Sequence, residues 1–174
     1  MWTLMLVFSA MISGIWAQLL PVGMLVVLDS VFNRVIRNRK LGRNTWIYID
    51  EIYLLFQHEY SANFLFTLWK RVRKYGACCT GLTQNVDDLL QSHTARTMLA
   101  NSEFLVMLNQ AATDRAELAR LLNISDNQLS YITNVDFGRG LIKCGSAIVP
   151  FMDSFPKNRL YKLMTTKPSE MEAA

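Results

Sequence analysis

Two short apolar runs separated by one amphipathic helix constrain the fold of this chain most. The run TWIYIDE is too short for a helix and rich in β-branched residues, so it predicts a buried strand that ends at Asp50 and Glu51. The run ACCTGLTQ predicts a second strand, and residues 61–75 between the two runs show the apolar spacing of a helix, which Gly76 ends with a left-handed cap. Strands joined by a helix of this length pair side by side as parallel strands. The sequence therefore predicts a βαβ unit and an α/β fold with parallel central strands.

The remainder of the chain after Gln84 gives a series of shorter signals. Apolar spacing and capping patterns predict short helices, a buried strand and a C-terminal hairpin. In chain order these are helices at 86–91 and 94–100, the strand EFLVMLNQ, a helix opened by Asp114 with Glu117 as its capping-box partner, a second capping box of Ser125 with Gln128, and a hairpin that turns at Gly145 and Ser146.

The first 28 residues contain no charged side chain, which is also typical of a membrane-spanning helix or a signal peptide. A signal peptide begins with a basic segment, and none is present here. Gly14 and Pro21 are expected to break a spanning helix. We therefore favour a buried strand followed by a helix that starts after Pro21 and Gly23 and ends at Gly42, and a membrane anchor is the alternative.

The composition allows one compact domain with an unusually apolar surface. Of the 174 residues, 51% are hydrophobic and 18% are charged, against about 25% charged in an average soluble protein, so some apolar surface is expected to need a partner. The net charge of +4 is too small to indicate nucleic-acid binding. Cys78, Cys79 and Cys144 have no metal-ligand spacing, and His58 and His93 lie far apart. We expect a reducing compartment and no structural metal, with Cys78 and Cys79 as apolar residues of a buried strand.

Polar side chains end both predicted parallel strands, at the edge of the sheet where α/β folds bind ligands. In a nucleotide motor, an acid such as Asp50 holds Mg²⁺ and an acid such as Glu51 activates the attacking water. Gln84, at the end of the next strand, can hydrogen-bond a γ-phosphate oxygen and that water. A second interpretation is structural, since Asp-Glu pairs commonly begin loops and Gln84, like Asn85, can cap one.

Three arginines are candidates for a residue that reaches the nucleotide of a neighbouring subunit and stabilises the transferring phosphoryl group. They are Arg71, Arg73 and Arg115. Each also has a structural interpretation. Arg71 and Arg73 complement the dipole at a helix C-terminus, and Arg115 is an exposed residue in the first turn of a helix.

Five segments match one protein family in order: WIYIDEIYLLF, LWKRVRKYGACCTGLTQN, MLANSEFLVMLNQ, TDRAELARLLNIS and GRGLIKCGSAIVPF. Over about residues 23–166 the chain resembles the C-terminal part of the conjugation ATPases of type IV secretion systems, of the TraC/TraE-like kind in Gram-positive mobile elements. The resemblance implies a RecA-like P-loop NTPase fold and a hexameric ring that is peripheral to the cytoplasmic face of the cell membrane. It also implies ATP-driven pilus assembly or DNA export, with secretion-channel components as partners and transferred DNA as an indirect one. Asp50 and Glu51 match the family's acidic strand-end motif, and Gln84 matches its strand-end glutamine.

The sequence departs from this family in one respect that affects its chemistry. It contains no GxxxxGK[ST], the loop that holds phosphates through backbone N–H groups and a lysine, and the family carries this loop upstream. The ATP and Mg²⁺ that the resemblance implies for the intact protein are therefore not expected to bind tightly to this chain. We expect a truncated gene or an excised fragment, with residues 1–166 as the C-terminal part of the motor domain and 167–174 as a flexible tail.

Two alternatives to a catalytic segment follow from the same residues. A truncated relic would perform no chemistry and would act as a protein interaction module. A membrane-anchored fragment would use the apolar residues 1–28 as its anchor.

Overall fold

The computed structural model describes the backbone of residues 2–6, 15–84 and 86–165, and the side chains from residue 22 onward except those of 85, 112 and 113. The elements it forms are β1 (Trp2–Leu6), α1 (Ile15–Lys40), β2 (Thr45–Ile49), α2 (Glu59–Arg71), β3 (Ala77–Gly81), α3 (Val86–Gln91), α4 (His93–Ala100), β4 (Phe104–Met107), α5 (Ala112–Leu122), α6 (Asp126–Leu129), β5 (Arg139–Cys144), β6 (Ala147–Met152) and α7 (Arg159–Met164).

The chain divides into two compact units, Met1–Ser102 and Glu103–Ala174. The extent of the predicted motor domain, residues 1–166, stays a prediction. The predicted flexible tail at 167–174 lies outside the described residues.

The first unit contains a parallel sheet in the order β1-β2-β3. Thr45 pairs with Ala77 and Ile49 pairs with Gly81, so β2 and β3 run in register along their whole length. The helix α2 lies between them in sequence, which confirms the predicted βαβ unit and the α/β fold class. The carboxyl ends of β2 and β3 consequently lie at one edge of the sheet.

The helix α1 starts earlier than the sequence predicted. It begins at Ile15 and continues through Pro21 and Gly23, so the expectation that it starts after these two residues was wrong. Gly14, the other predicted break, lies outside the described residues. A proline in a helix interior removes one backbone hydrogen bond. The rest of α1 is held by a buried stripe that packs into the core of the first unit, formed by Met24, Leu28, Val31 and Val35. Across the described residues, no helix is both long and apolar enough to cross a membrane.

One face of the parallel sheet is buried and the other is partly open. Ile47 and Ile49 on β2 are 1% and 0% exposed and pack with residues of α1 and α2. Trp46 between them is 37% exposed, so the prediction that it is buried was wrong. Successive strand residues point to opposite faces, and the described helix residues pack on the face of Ile47 and Ile49. Cys78, which pairs with Trp46, is likewise exposed rather than buried.

A buried hydrogen bond and a glycine cap fix the C-terminal ends of the two helices that lead into this sheet. The Asn38 side-chain amide donates to Thr45 Oγ1 at 2.9 Å, and both residues are buried. This bond joins the last turn of α1 to the first residue of β2. At the other helix, α2 continues as a 3-10 turn, Val72–Tyr75, and ends at Gly76 with φ of 64°, the left-handed cap that the sequence predicted.

The second unit contains an antiparallel sheet in the order β4-β5-β6. The predicted hairpin is confirmed, because β5 and β6 are joined by Gly145 and Ser146 alone. The prediction that β4 is buried was wrong, since Phe104 and Val106 are 59% and 51% exposed. These two side chains share one face of β4 and are exposed there, whereas Met107 points to the other face and is buried.

Two helix starts were predicted in the second unit, and the structure confirms one of them. Ser125 and Gln128 form the predicted capping box, in which the Ser125 N–H donates to Gln128 Oε1 at 3.0 Å. Ala111 occupies the N-cap position of α5, without a side-chain capping bond, so Asp114 does not open this helix. Asp114 lies within its first turn, so the capping box predicted with Glu117 was wrong.

Cys79 is expected to resist alkylation. Although the residue is partly exposed, burial raises the pKa of its thiol to about 12, and the neighbouring Cys78 adds a smaller effect. Because the thiolate is the reactive form, about one Cys79 side chain in 10⁴ is reactive at pH 8. In the folded protein, maleimide should modify Cys79 at least about 100-fold more slowly than the exposed Cys144.

The same pKa gives a pH dependence of stability. The folded-state pKa is above the ordinary value of 9.0, so the contribution to stability is complete below about pH 9 and is lost as the pH rises towards 12. Urea unfolding of Cys79→Ala should show a weaker loss of stability across this range than the wild type. Equal alkylation rates at Cys79 and Cys144 would contradict the burial of this thiol.

Candidate functional site

The two acids predicted to carry chemistry lie directly after β2. Asp50 is exposed and accepts a hydrogen bond from the Glu51 N–H at 3.0 Å, through Oδ1. The sheet pairing continues past the strand ends, because the Leu82 N–H donates to the Ile49 carbonyl at 2.8 Å and the Ile52 N–H donates to the Leu82 carbonyl at 2.9 Å. This bonding holds the segment after β3 against the segment that bears the acids.

Gln84 reaches the acidic pair from the neighbouring strand. β3 ends at Gly81, so Gln84 lies three residues beyond the strand rather than at its last position. Its side-chain amide Nε2 donates to Glu51 Oε1 at 3.4 Å. The structure thus brings Asp50, Glu51 and Gln84 together at the carboxyl edge of the sheet, and their roles in catalysis stay predictions.

The backbone of Glu51 adopts a conformation that is unusual for a side chain of its kind. Its φ is 48° and its ψ is 47°, in the left-handed region. Glycine and asparagine adopt this region readily, whereas other residues are strained there, and such strain is concentrated at functional sites. Glu51 turns the chain from β2 into the 3-10 helix Ile52–Phe56 and presents its carboxylate to Gln84.

Replacing Glu51 with asparagine is expected to raise the free energy of unfolding by up to about 1 kcal/mol, because asparagine tolerates positive φ. Glu51→Val should instead lower it by about 1–2 kcal/mol, since a β-branched residue is poorly accommodated there. Urea unfolding of both variants measures the difference. If both variants lose stability equally, Glu51 contributes through its contacts rather than through strain.

The sequence did not predict a cavity that lies beside this site. A cavity of about 400 Å³ lies between the 3-10 helix after Glu51 and the helix α3 after Gln84. It is lined by Tyr53, Phe56, Gln57, Asp88, Gln91 and Ser92. Both lining segments directly follow the ends of adjacent parallel strands, and this position along the chain was the signal available in the sequence.

One carboxylate at the carboxyl edge fits a metal ion that is carried by a nucleotide. No group of three or more His, Cys, Asp or Glu side chains within the described part of the chain can hold a metal ion. Mg²⁺ is commonly bound through one or two carboxylates together with substrate phosphates and water. The exposed Asp50 carboxylate can supply one such ligand, with Glu51 beside it.

Two of the three candidate arginines lie at the edge of the parallel sheet opposite to the acids. Arg71 ends α2 and Arg73 lies in the turn before β3, so both are at the amino edge, about 16 Å of strand away from the carboxyl edge. Arg115 belongs to the second unit, where it is half-buried in α5 rather than exposed. A role for any of them towards a neighbouring subunit stays a prediction.

Comparisons with known proteins agree on the family and the fold. The model of the TraG P-loop domain matches residues 12–139 of this chain. No curated protein matches the chain. Among solved structures, VirB4 of Thermoanaerobacter pseudethanolicus superposes with a TM-score of 0.70 at 24% sequence identity, over 88% of this chain and 39% of that one. At that identity the superposition shows the fold, and the chain spans well under half of the VirB4 length.

The family match covers most of the chain, and it includes the βαβ unit and the acidic edge with Asp50, Glu51 and Gln84. The chain therefore belongs to the family of the TraG P-loop domain.

Proposed function

We propose that this chain contributes the acidic strand end and the strand-end glutamine to the ATP hydrolysis site of a TraC/TraE-like conjugation motor. The observation that supports this most directly is the hydrogen bond from Gln84 to Glu51 at the carboxyl edge. A loop cap would bond to nearby backbone, whereas Gln84 bonds to the carboxylate of a residue 33 positions away. The bond pairs two residue types that nucleotide motors use around the attacking water.

Each residue has a distinct task in the proposed site. Mg²⁺-bound ATP supplies the phosphoryl group that is transferred. Glu51 takes a proton from the attacking water, and its carboxylate is positioned by the turn after β2. Gln84 orients that water through an amide that already reaches Glu51. Asp50 helps to hold the metal ion through its exposed carboxylate.

The intact protein is proposed to work as a hexameric ring, peripheral to the cytoplasmic face of the membrane. Its partners would be components of the secretion channel, and its activity would drive pilus assembly or DNA transfer. These proposals rest on the family membership and on the segments that resemble conjugation ATPases.

The chain of 174 residues is expected to bind Mg²⁺–ATP no more tightly than about 1 mM, because it contains no phosphate-binding loop. Without the backbone donors and the lysine of that loop, Asp50 and Glu51 repel the phosphates more than they attract them. Titration calorimetry measures the affinity, and a longer chain that includes GxxxxGK[ST] upstream is the control, with micromolar binding expected. Micromolar binding by the short chain would mean that a phosphate site exists within these residues.

A second candidate function is a non-catalytic interaction module. It is favoured by the uncovered apolar face of the second unit, where Phe104, Val106 and Val149 are each more than half exposed. Faces of this kind are typical of protein interfaces. Absence of ATP turnover in a longer chain that binds ATP would favour this function over the motor.

A further inference from the structure

The amino edge of the parallel sheet carries a concentrated positive charge. The C-terminal ends of α1 and of α2 both lead to this edge, and the turn 41–44 connects α1 to β2 there. All of its cationic side chains are exposed, and together we call them the amino-edge basic surface: Arg37, Arg39, Lys40, Arg43, Arg71, Arg73 and Lys74.

Contacts between the two helix ends make these residues one surface. A Cβ placed at Gly76, just after α2, would lie 3.4 Å from Arg39 Nη1 of α1. The Thr45 N–H donates to the Gly76 carbonyl at 3.3 Å. The rings of Phe32 and Tyr75 meet edge to face with centroids 5.4 Å apart. The cations of both helix ends therefore lie on one surface.

The charge of this surface exceeds what the two helix ends require. Each helix C-terminus carries roughly half a negative charge, so one or two cations would complement both. Neither 30–49 nor 60–86 contains an Asp or Glu, and the surface supplies seven cations. Asp50 and Glu51 lie at the opposite edge of the same sheet. The first unit therefore presents opposite charge at its two edges.

An apolar side chain stands within the basic surface. Leu41 is 57% exposed, and all four residues of the turn 41–44 are exposed. A bilayer offers phosphates to the cations and an acyl region to Leu41. A DNA backbone offers phosphates alone.

We propose that the amino-edge basic surface binds the anionic phospholipid headgroups of a membrane, with Leu41 inserted at the boundary between headgroups and acyl chains. Docking by this edge turns Asp50, Glu51 and Gln84 away from the bilayer. The inference deepens the proposed placement at the membrane and does not depend on nucleotide chemistry, so loss of vesicle binding and loss of ATP hydrolysis are separate results.

The test is sedimentation of the full chain with vesicles. Vesicles of phosphatidylcholine with about 40% phosphatidylglycerol should bind the chain, and vesicles of phosphatidylcholine alone should not. The partition coefficient should fall on the order of 100-fold in the triple variant that combines Arg37→Gln, Lys40→Gln and Lys74→Gln. Each cation near an anionic surface contributes about fivefold. Leu41→Ser should lower it on the order of tenfold without changing its salt dependence.

A matched control removes the same charge from the second unit, through Lys157→Gln, Arg159→Gln and Lys162→Gln beside the exposed Leu160 and Leu163. Circular dichroism establishes that every variant is folded. The proposal is overturned if the control loses vesicle binding as fully as the triple variant, or if the triple variant still binds normally. It is also overturned if the surface binds a 20-base-pair DNA duplex and not the vesicles, which fluorescence anisotropy would detect.

Discussion

Replacing Glu51 with glutamine in an intact motor that contains this segment is expected to lower kcat by on the order of 10²–10⁴-fold while leaving ATP affinity nearly unchanged. General-base catalysis contributes a factor of this size. Glutamine keeps the shape of the side chain and its ability to bond with Gln84, but it cannot accept the proton of the attacking water. Single-turnover hydrolysis and nucleotide binding, measured on the same preparation, separate the two effects.

Two further variants test whether the loss belongs to Glu51 itself. Gln84→Ala should reduce turnover without lowering the melting temperature, because Gln84 is exposed and lies beyond the end of β3. Asp50→Asn should weaken the response to Mg²⁺. Near-normal turnover in Glu51→Gln would exclude Glu51 as the base, and unfolding of Gln84→Ala would show that Gln84 is structural.

The parts of the fold that could be predicted from the sequence depend on local patterns and short connections. The spacing of apolar residues in α2, the cap at Gly76 and the apolar runs of β2 and β3 together leave one way of pairing the strands. Because parallel strands end at the same edge, the meeting of Glu51 with Gln84 also followed from the sequence. The left-handed backbone of Glu51 did not, since no local pattern indicates positive φ at a glutamate.

The predictions that failed concern which surfaces are covered. Trp46 and Phe104 are large apolar residues of the kind that buried strands contain. Each nevertheless lies on a sheet face that no described helix covers. Pro21 was expected to stop a helix, but α1 continues through it. The buried residues that hold α1 against the core lie after Pro21 in the helix. Apolar character indicates that a residue favours burial, but what covers it depends on elements distant in sequence.

Truncating Ile49 to alanine is expected to lower the free energy of unfolding by about 2–5 kcal/mol. Ile49 is fully buried in β2, the middle strand of the parallel sheet, and packs in the core shared with α1 and α2. Removing its buried methyl and methylene groups loses their transfer free energy and leaves a cavity that the surrounding strands cannot close. Urea unfolding, followed by circular dichroism, measures the loss.

Trp46→Ala is the matched control, because it removes a larger side chain from the same strand on the face that the helices leave open. With Trp46 at 37% exposure, its truncation should cost less than that of Ile49 despite the greater volume removed. A change below about 1 kcal/mol for Ile49→Ala would mean that the core is not built on this face. A larger loss for Trp46→Ala than for Ile49→Ala would mean that the open face is covered in solution. Analytical sedimentation would then test whether a second copy of the chain covers it.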